Sequence, residues 1–142
     1  MEKHFVTYKQ ALALKELGFD EPCMGKYDTK QGNEWFLNIY SGHLNTQFGD
    51  KSKACIAPLK SQVFDWFRSK HNLRHNVMDF IDDITGIEWD YEIATIGTDL
   101  DESGNYIPLV DYSIDDETRK FKTYEEAESA CIDKLIEIIK KK

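Results

Sequence analysis

The sequence predicts an α+β fold, three helices packed on a mainly antiparallel sheet, in the order helix, hairpin, helix, β-meander, helix. Three observations carry that expectation. Helix-capping residues bracket three segments of helical apolar spacing, the stretches between them change to the two-residue period of strands, and short polar turns join them. At 142 residues the chain has the size of one domain, and its 41% hydrophobic content can bury a core without disulfide or metal staples. No Pro-, Gly- or Ser-rich linker divides it, so residues 1–142 are expected to form a single α+β domain.

The first helix is expected from Tyr8 to Leu17. Thr7 and Gln10 form a Thr-x-x-Gln capping box, and Ala11, Leu14 and Leu17 supply the apolar stripe. Gly18 fits the left-handed residue that follows a helix, with Phe19 folding back on Leu14. The next segment, Glu34–Tyr40, is aromatic-rich and follows a turn at Thr29–Asn33, which suggests a hairpin with Cys23–Tyr27 as its partner. A second helix is expected to begin at Pro58, whose missing N–H is harmless in a first turn. Leu59, Val63, Trp66 and Phe67 share one of its faces, and Asn72 is a suitable stop.

Residues 76–85 admit two readings. Val77, Phe80, Ile81 and Ile84 are spaced as on a helix, with Asn76 as cap and Gly86 as stop. The other reading is a strand from Leu73 into a turn around Asp82–Gly86, which the following segment favours because it needs a neighbour for pairing. That segment, Ile87–Ile93, alternates: Ile87, Trp89, Tyr91 and Ile93 face one way, and Glu88, Asp90 and Glu92 the other. Val110, Tyr112 and Ile114 continue the apolar face on another strand, and Pro108 places its beginning at an edge or a bulge. The third helix starts at Thr123, with a Thr-x-x-Glu box at Thr123 and Glu126. Its stripe is Ala127, Cys131, Leu135 and Ile138, and the closing Lys140, Lys141 and Lys142 suit the negative end of the helix dipole.

Charge is distributed unevenly. The net −8 divides into +3 over residues 1–74, −13 over 75–118 and +2 over 119–142, and the central stretch contains no Lys or Arg. Phosphate recognition requires clustered cations, so direct nucleic-acid binding is not expected, whereas a basic protein surface is a compatible partner. No apolar run approaches the roughly 20 residues that span a bilayer. The first residues lack the apolar core of a signal peptide. Cys23, Cys55 and Cys131 have no Cys-x-x-Cys spacing and sit among apolar residues, which reads as reduced core thiols in a cytoplasmic setting.

Three stretches carry a resemblance: Thr7–Cys23 (TYKQALALKELGFDEPC), Ala57–Leu73 (APLKSQVFDWFRSKHNL) and Thr123–Lys140 (TYEEAESACIDKLIEIIK). Together they resemble small, functionally uncharacterised proteins encoded by phages and prophages of gut Bacteroidetes. The resemblance covers the helical blocks, about a third of the chain, and brings no catalytic or binding residue with it. It implies an accessory protein of a virus or mobile element working in the cytoplasm of a host bacterium.

Several constellations invite chemistry. Asp99, Asp101 and Ser103 with Gly104 imitate the opening of an EF-hand loop, but the twelfth position, which should be glutamate, is Val110, so a polar hairpin turn is expected. His71 and His75 are four apart with Asp79 beyond, yet Asn72 interrupts the helix that would align them, and no metal site is expected. No P-loop, GxGxxG or nucleophile elbow occurs, no cofactor is expected, and Cys131 reads as a packing residue. An enzyme is therefore the least supported class.

The leading expectation is a non-enzymatic protein that binds another protein through an acidic sheet face and its turns: Glu88, Asp90, Glu92, Asp99, Asp101, Glu102 and Asp111. The alternative is a small-molecule or nucleotide-binding protein, with a pocket between the sheet and the 58–71 helix lined by Trp35, Tyr40, Trp66 and Phe67. A minor virion component is a third.

Overall fold

The structure, a computed structural model, describes residues 1–30, 34–44, 54–111 and 120–142; for 30, 43, 44, 96–99 and 107–111 it describes the backbone alone. The chain is α+β, and among the described residues it has three helices and two antiparallel three-stranded sheets in place of one. It divides into two compact units, Met1–Val63 with Ile136–Lys142, and Phe64–Leu135.

In the first unit a short 3-10 turn, Glu2–His4, precedes α1 (Tyr8–Glu16). The capping box at its start forms as the sequence predicts: the Gln10 N–H donates to Thr7 Oγ1 at 3.2 Å, and the Thr7 N–H donates to Gln10 Oε1 at 3.0 Å. Its end is a Schellman motif. Gly18 has φ +90°, the Phe19 N–H donates to the Leu14 carbonyl at 2.9 Å, and the Gly18 N–H to that of Lys15 at 3.1 Å. The sheet has the order β2-β1-β3, formed by β1 (Cys23–Lys30), β2 (Glu34–Leu44) and β3 (Cys55–Ala57). The expected hairpin is present, pairing Lys30 with Glu34 and Gly25 with Ile39. The third strand was not legible, because three residues are too few to show a period. The core of this unit includes Phe5, Val6, Leu14, Phe19, Ile56 and Ala57, all buried.

Helix α2 (Lys60–His71) begins two residues later than Pro58 suggests. The Leu59 N–H donates to Gln62 Oε1 at 3.1 Å, so Leu59 is the boundary residue and Pro58 lies buried before it. Asn72 stops the helix with φ 53°, a conformation asparagine tolerates better than most residues.

In the second unit the sheet has the order β4-β5-β6: β4 (Leu73–Asp82), β5 (Gly86–Leu100) and β6 (Tyr106–Asp111). Residues 76–85 are therefore strand and turn, and every residue from Leu73 to Asp82 pairs with β5, from Thr95 back to Gly86. Pro108 pairs with Ile96 between two register shifts on the edge strand β6, as a residue without an N–H requires. Tyr112 and Ile114 lie outside the described residues. Helix α3 (Tyr124–Lys140) buries Ala127, Cys131, Leu135 and Ile138. Thr123 Oγ1 accepts from the Glu126 N–H at 3.2 Å, but the Glu126 carboxylate accepts from the Lys122 N–H at 3.1 Å, one residue before the box position.

Candidate functional site

The β4–β5 hairpin presents two faces, and the register shows which residues share them. One carries Leu73, His75, Val77, Asp79 and Ile81 opposite Thr95, Ile93, Tyr91, Trp89 and Ile87. The other carries Arg74, Asn76, Met78, Phe80 and Asp82 opposite Ala94, Glu92, Asp90, Glu88 and Gly86. Alternation along β5 is therefore real, but burial does not follow it from end to end. Tyr91 and Ile93 are buried as expected, whereas Ile87 is 60% exposed and Glu88 only 2% exposed. The outer face is thus not uniformly solvated.

The cause is the segment just before α3. From Ala94 onward β5 pairs with β6, and nearer the turn the bond partner is Phe121. The Trp89 N–H donates to the Phe121 carbonyl at 2.8 Å, and the Phe121 N–H donates back at 2.9 Å. Strand alternation then places Lys120 and Lys122 beside Glu88. Lys122 Nζ lies 3.1 Å from Glu88 Oε1, Lys120 Nζ lies 3.6 Å from Oε2, and Lys120 also reaches Asp82 at 3.1 Å. A hydrogen bond from the Thr85 side chain and then the Lys122 ammonium hold the Glu88 carboxyl below its ordinary range. Glu88 is consequently an internal ion-pair residue, and its expected role as a surface contact is corrected.

The other acidic candidates separate in space. Glu92 is exposed and accepts from Asn76 Nδ2 at 3.2 Å, and Asp90 is half-buried with its carboxylate accepting from the Tyr91 N–H at 2.7 Å. Asp101 organises the β5–β6 turn, accepting from the Ser103 and Asn105 N–H groups at 2.9 Å each, with Gly104 at φ +82°. That is the polar hairpin turn the sequence suggests, and Glu102 stands exposed on it. The side chains of Asp99 and Asp111 lie outside the described residues.

The tip of the β4–β5 hairpin is the surface that the alternation argument missed. Ile81, Ile84 and Ile87 are 81%, 94% and 60% exposed, and Ile81 and Ile87 are direct cross-strand partners. The turn beneath them is rigidly bonded. Asp82 Oδ1 accepts from the Ile84 N–H at 2.8 Å and the Thr85 N–H at 3.0 Å, and Gly86 closes the turn at φ +88°. These bonds hold the Asp82 carboxyl far below the carboxylate range, with Lys120 adding to the effect. Asp79 and Asp83 are exposed at the flank. Three isoleucines around a turn that would ordinarily be polar are the sequence signal that points to this surface.

The four residues of the aromatic alternative are divided between the two units. Trp35 stacks on Tyr8 (centroids 4.6 Å, planes 9° apart) in the first unit, where Tyr40 is exposed. Trp66 and Phe67 belong to the second unit, buried and in edge contact at 5.1 Å. His71 lies against the Trp66 and Phe67 rings, whereas His75 stacks on Phe64 at 3.6 Å with planes 6° apart. The left-handed Asn72 separates the two imidazoles, and among the described residues no group of three potential ligands could hold a metal.

Two cavities open along β4, one toward β5 and one toward the end of α2. One of about 250 Å³ is lined by Arg74, His75, Asn76, Glu92 and Ala94; the other, of about 180 Å³, by Arg68, Arg74 and His75. Burial, and then the nearby Arg68 guanidinium, pull the His75 imidazole below its ordinary value, so the ring is neutral at pH 7. None of the helices is long and apolar enough to cross a membrane, among the described residues. Comparison of the chain with protein-family models, with curated proteins and with solved structures finds no match.

Proposed function

We propose that the chain is an accessory protein of a phage or mobile element that acts by binding another protein, with the distal half of the β4–β5 hairpin making the contact. The observation that carries this reading is the exposure of Ile81, Ile84 and Ile87 on a turn already ordered by Asp82. An apolar patch left in water on a rigid projection has a use in recognition, because the ordering cost of the loop is met before binding. Fully burying an isoleucine is worth about 1.5–3 kcal/mol, enough for three to anchor a specific contact. Exposed Asp79 and Asp83 flank the patch, and Glu92 lies further along the hairpin. The complementary surface is an apolar cleft bordered by Lys and Arg, which preserves the expectation of a basic partner while removing Glu88 from the contact.

The test is affinity capture from host cells with the intact chain and with Ile81→Ser/Ile84→Ser/Ile87→Ser, followed by measurement of each captured protein's affinity. The serine variant is expected to lose the partner, and Asp79→Lys/Asp83→Lys to weaken it most at low salt. Retention of every partner by the serine variant would sink the proposal.

A further inference from the structure

We infer that the corner between the end of α2 and the start of β4 is a binding site for a phosphate group, carried free or as a phosphate monoester of a small polyol. This goes beyond the hairpin contact and does not depend on it. Arg68 on α2 and Arg74 and His75 on β4 line the open cavity of about 180 Å³, which admits a tetrahedral oxyanion.

The three groups are positioned in different ways that suit the task. The Arg68 guanidinium is held by Asp65 one turn earlier on the same helix, and that contact leaves most of its five N–H donors available. Arg74 has no carboxylate partner among the described residues, although it sits in a chain of net charge −8 with acidic neighbours available. His75 is fixed by its parallel stack on Phe64 of α2, on the face of the hairpin opposite to Arg74. Guanidinium forks are the groups that recognise phosphate oxygens through bidentate, charge-assisted hydrogen bonds.

The adjoining cavity shows what the rest of the ligand is. It shares Arg74 and His75 as walls and adds Asn76 and Glu92. A carboxylate there repels a second phosphate and accepts hydrogen bonds from hydroxyls, and Asn76, already bonded to Glu92, has acceptor and donor capacity remaining. One anionic head with a hydroxyl-bearing body fits this arrangement, whereas a polyanion such as nucleic acid does not.

Calorimetric titration of the full chain with inorganic phosphate, ribose 5-phosphate and ribose tests the site, with NMR mapping of the shifted residues. Ribose 5-phosphate is expected to bind with shifts centred on 68, 74–76 and 92–94, and Arg74→Ala to weaken it by about tenfold or more. Arg74 is exposed, so that variant is expected to fold, and thermal unfolding of the free protein verifies it. Ribose 5-phosphate binding more tightly than inorganic phosphate, with Glu92→Gln reducing only that advantage, identifies the monoester; equal affinity identifies free phosphate. Absence of saturable binding by both phosphates, equal binding of plain ribose, or binding indifferent to Arg74→Ala overturns the inference.

Discussion

Lys122 Nζ lies 3.1 Å from Oε1 of Glu88, so a carboxylate in the middle of a stretch devoid of Lys and Arg is neutralised from beyond that stretch. Together with Lys120 and Asp82 it forms a four-residue charge network around the base of the hairpin turn. The network sets how the fold responds to acid. Glu88 and Asp82 both have folded values below their ordinary 4.5 and 3.8, so their stabilisation is fully present above those values and is lost as pH falls through and below them. Urea unfolding midpoints measured from pH 7 down to pH 3 should therefore fall most steeply below about pH 4.5. Glu88→Gln is expected to lower the midpoint at pH 7, because it leaves Lys120 and Lys122 without their shared anion, and to flatten the acid limb. An acid limb as steep in a Glu88→Gln/Asp82→Asn double variant as in the parent would show that other carboxylates govern it.

The exposed isoleucines separate binding from stability. Ile84→Ser and Ile81→Ser remove side chains that the folded chain does not bury, so each should change unfolding free energy by no more than about 0.5 kcal/mol. Ile93→Ala and Ile132→Ala empty fully buried positions and should cost about 2–5 kcal/mol. Denaturant titration of the four variants gives the comparison. A loss of more than about 1 kcal/mol from Ile84→Ser would mean that the tip is packed in solution.

The thiols should be silent in the native protein. Cys23, Cys55 and Cys131 are buried and in no disulfide. Burial, with the Glu21 carboxylate adding to it, pushes the Cys23 thiol up to about 12, and burial pushes that of Cys55 up to about 11 against the opposing charge of Lys15. Because the thiolate is the nucleophile, a disulfide reagent at pH 8 should react slowly with folded chain and rapidly with all three cysteines in denaturant. One fast thiol under native conditions would contradict that burial.

What was legible in the sequence was what is decided locally. Thr7 with Gln10, Gly18 with Phe19, and Asn72 act within one turn of chain, and each ends or begins a helix where its chemistry says it should. The strand reading of Leu73–Asp82 also held, because β5 needed a partner. Spatial charge was not legible. A count along the chain treats Glu88 as one of thirteen unopposed carboxylates, while the Trp89–Phe121 pairing that delivers two lysines to it spans more than thirty residues of sequence. The phosphate corner was hidden for a similar reason: Arg68, Arg74 and His75 straddle a helix end and form no linear motif. Ile81 and Ile84, with Val77 and Phe80, admit a helical reading because a three-residue spacing is the same on a helix face and around a tight turn.

Gly25 gives the sharpest test of the first unit. It lies on β1, the central strand, paired with Ala57 of β3 on one side and Ile39 of β2 on the other. A Cβ added there would stand 2.6 Å from the Ala57 carbonyl oxygen, 2.9 Å from Phe5 Cε1 and 3.0 Å from Ala57 Cβ. The tightest of these contacts is with backbone, which can withdraw only by loosening the β1–β3 pairing. Gly25→Ala should therefore cost about 1–3 kcal/mol through overpacking, although alanine ordinarily favours a strand over glycine. Gly42→Ala on β2 is the control, since its added Cβ meets nothing within 4 Å, and it should shift stability by less than about 0.5 kcal/mol. Ala57→Gly removes only the most distant of the three clashes, so adding it to Gly25→Ala should restore little. Full recovery in that double variant would show that the Ala57 methyl, and not its carbonyl, is what position 25 must avoid.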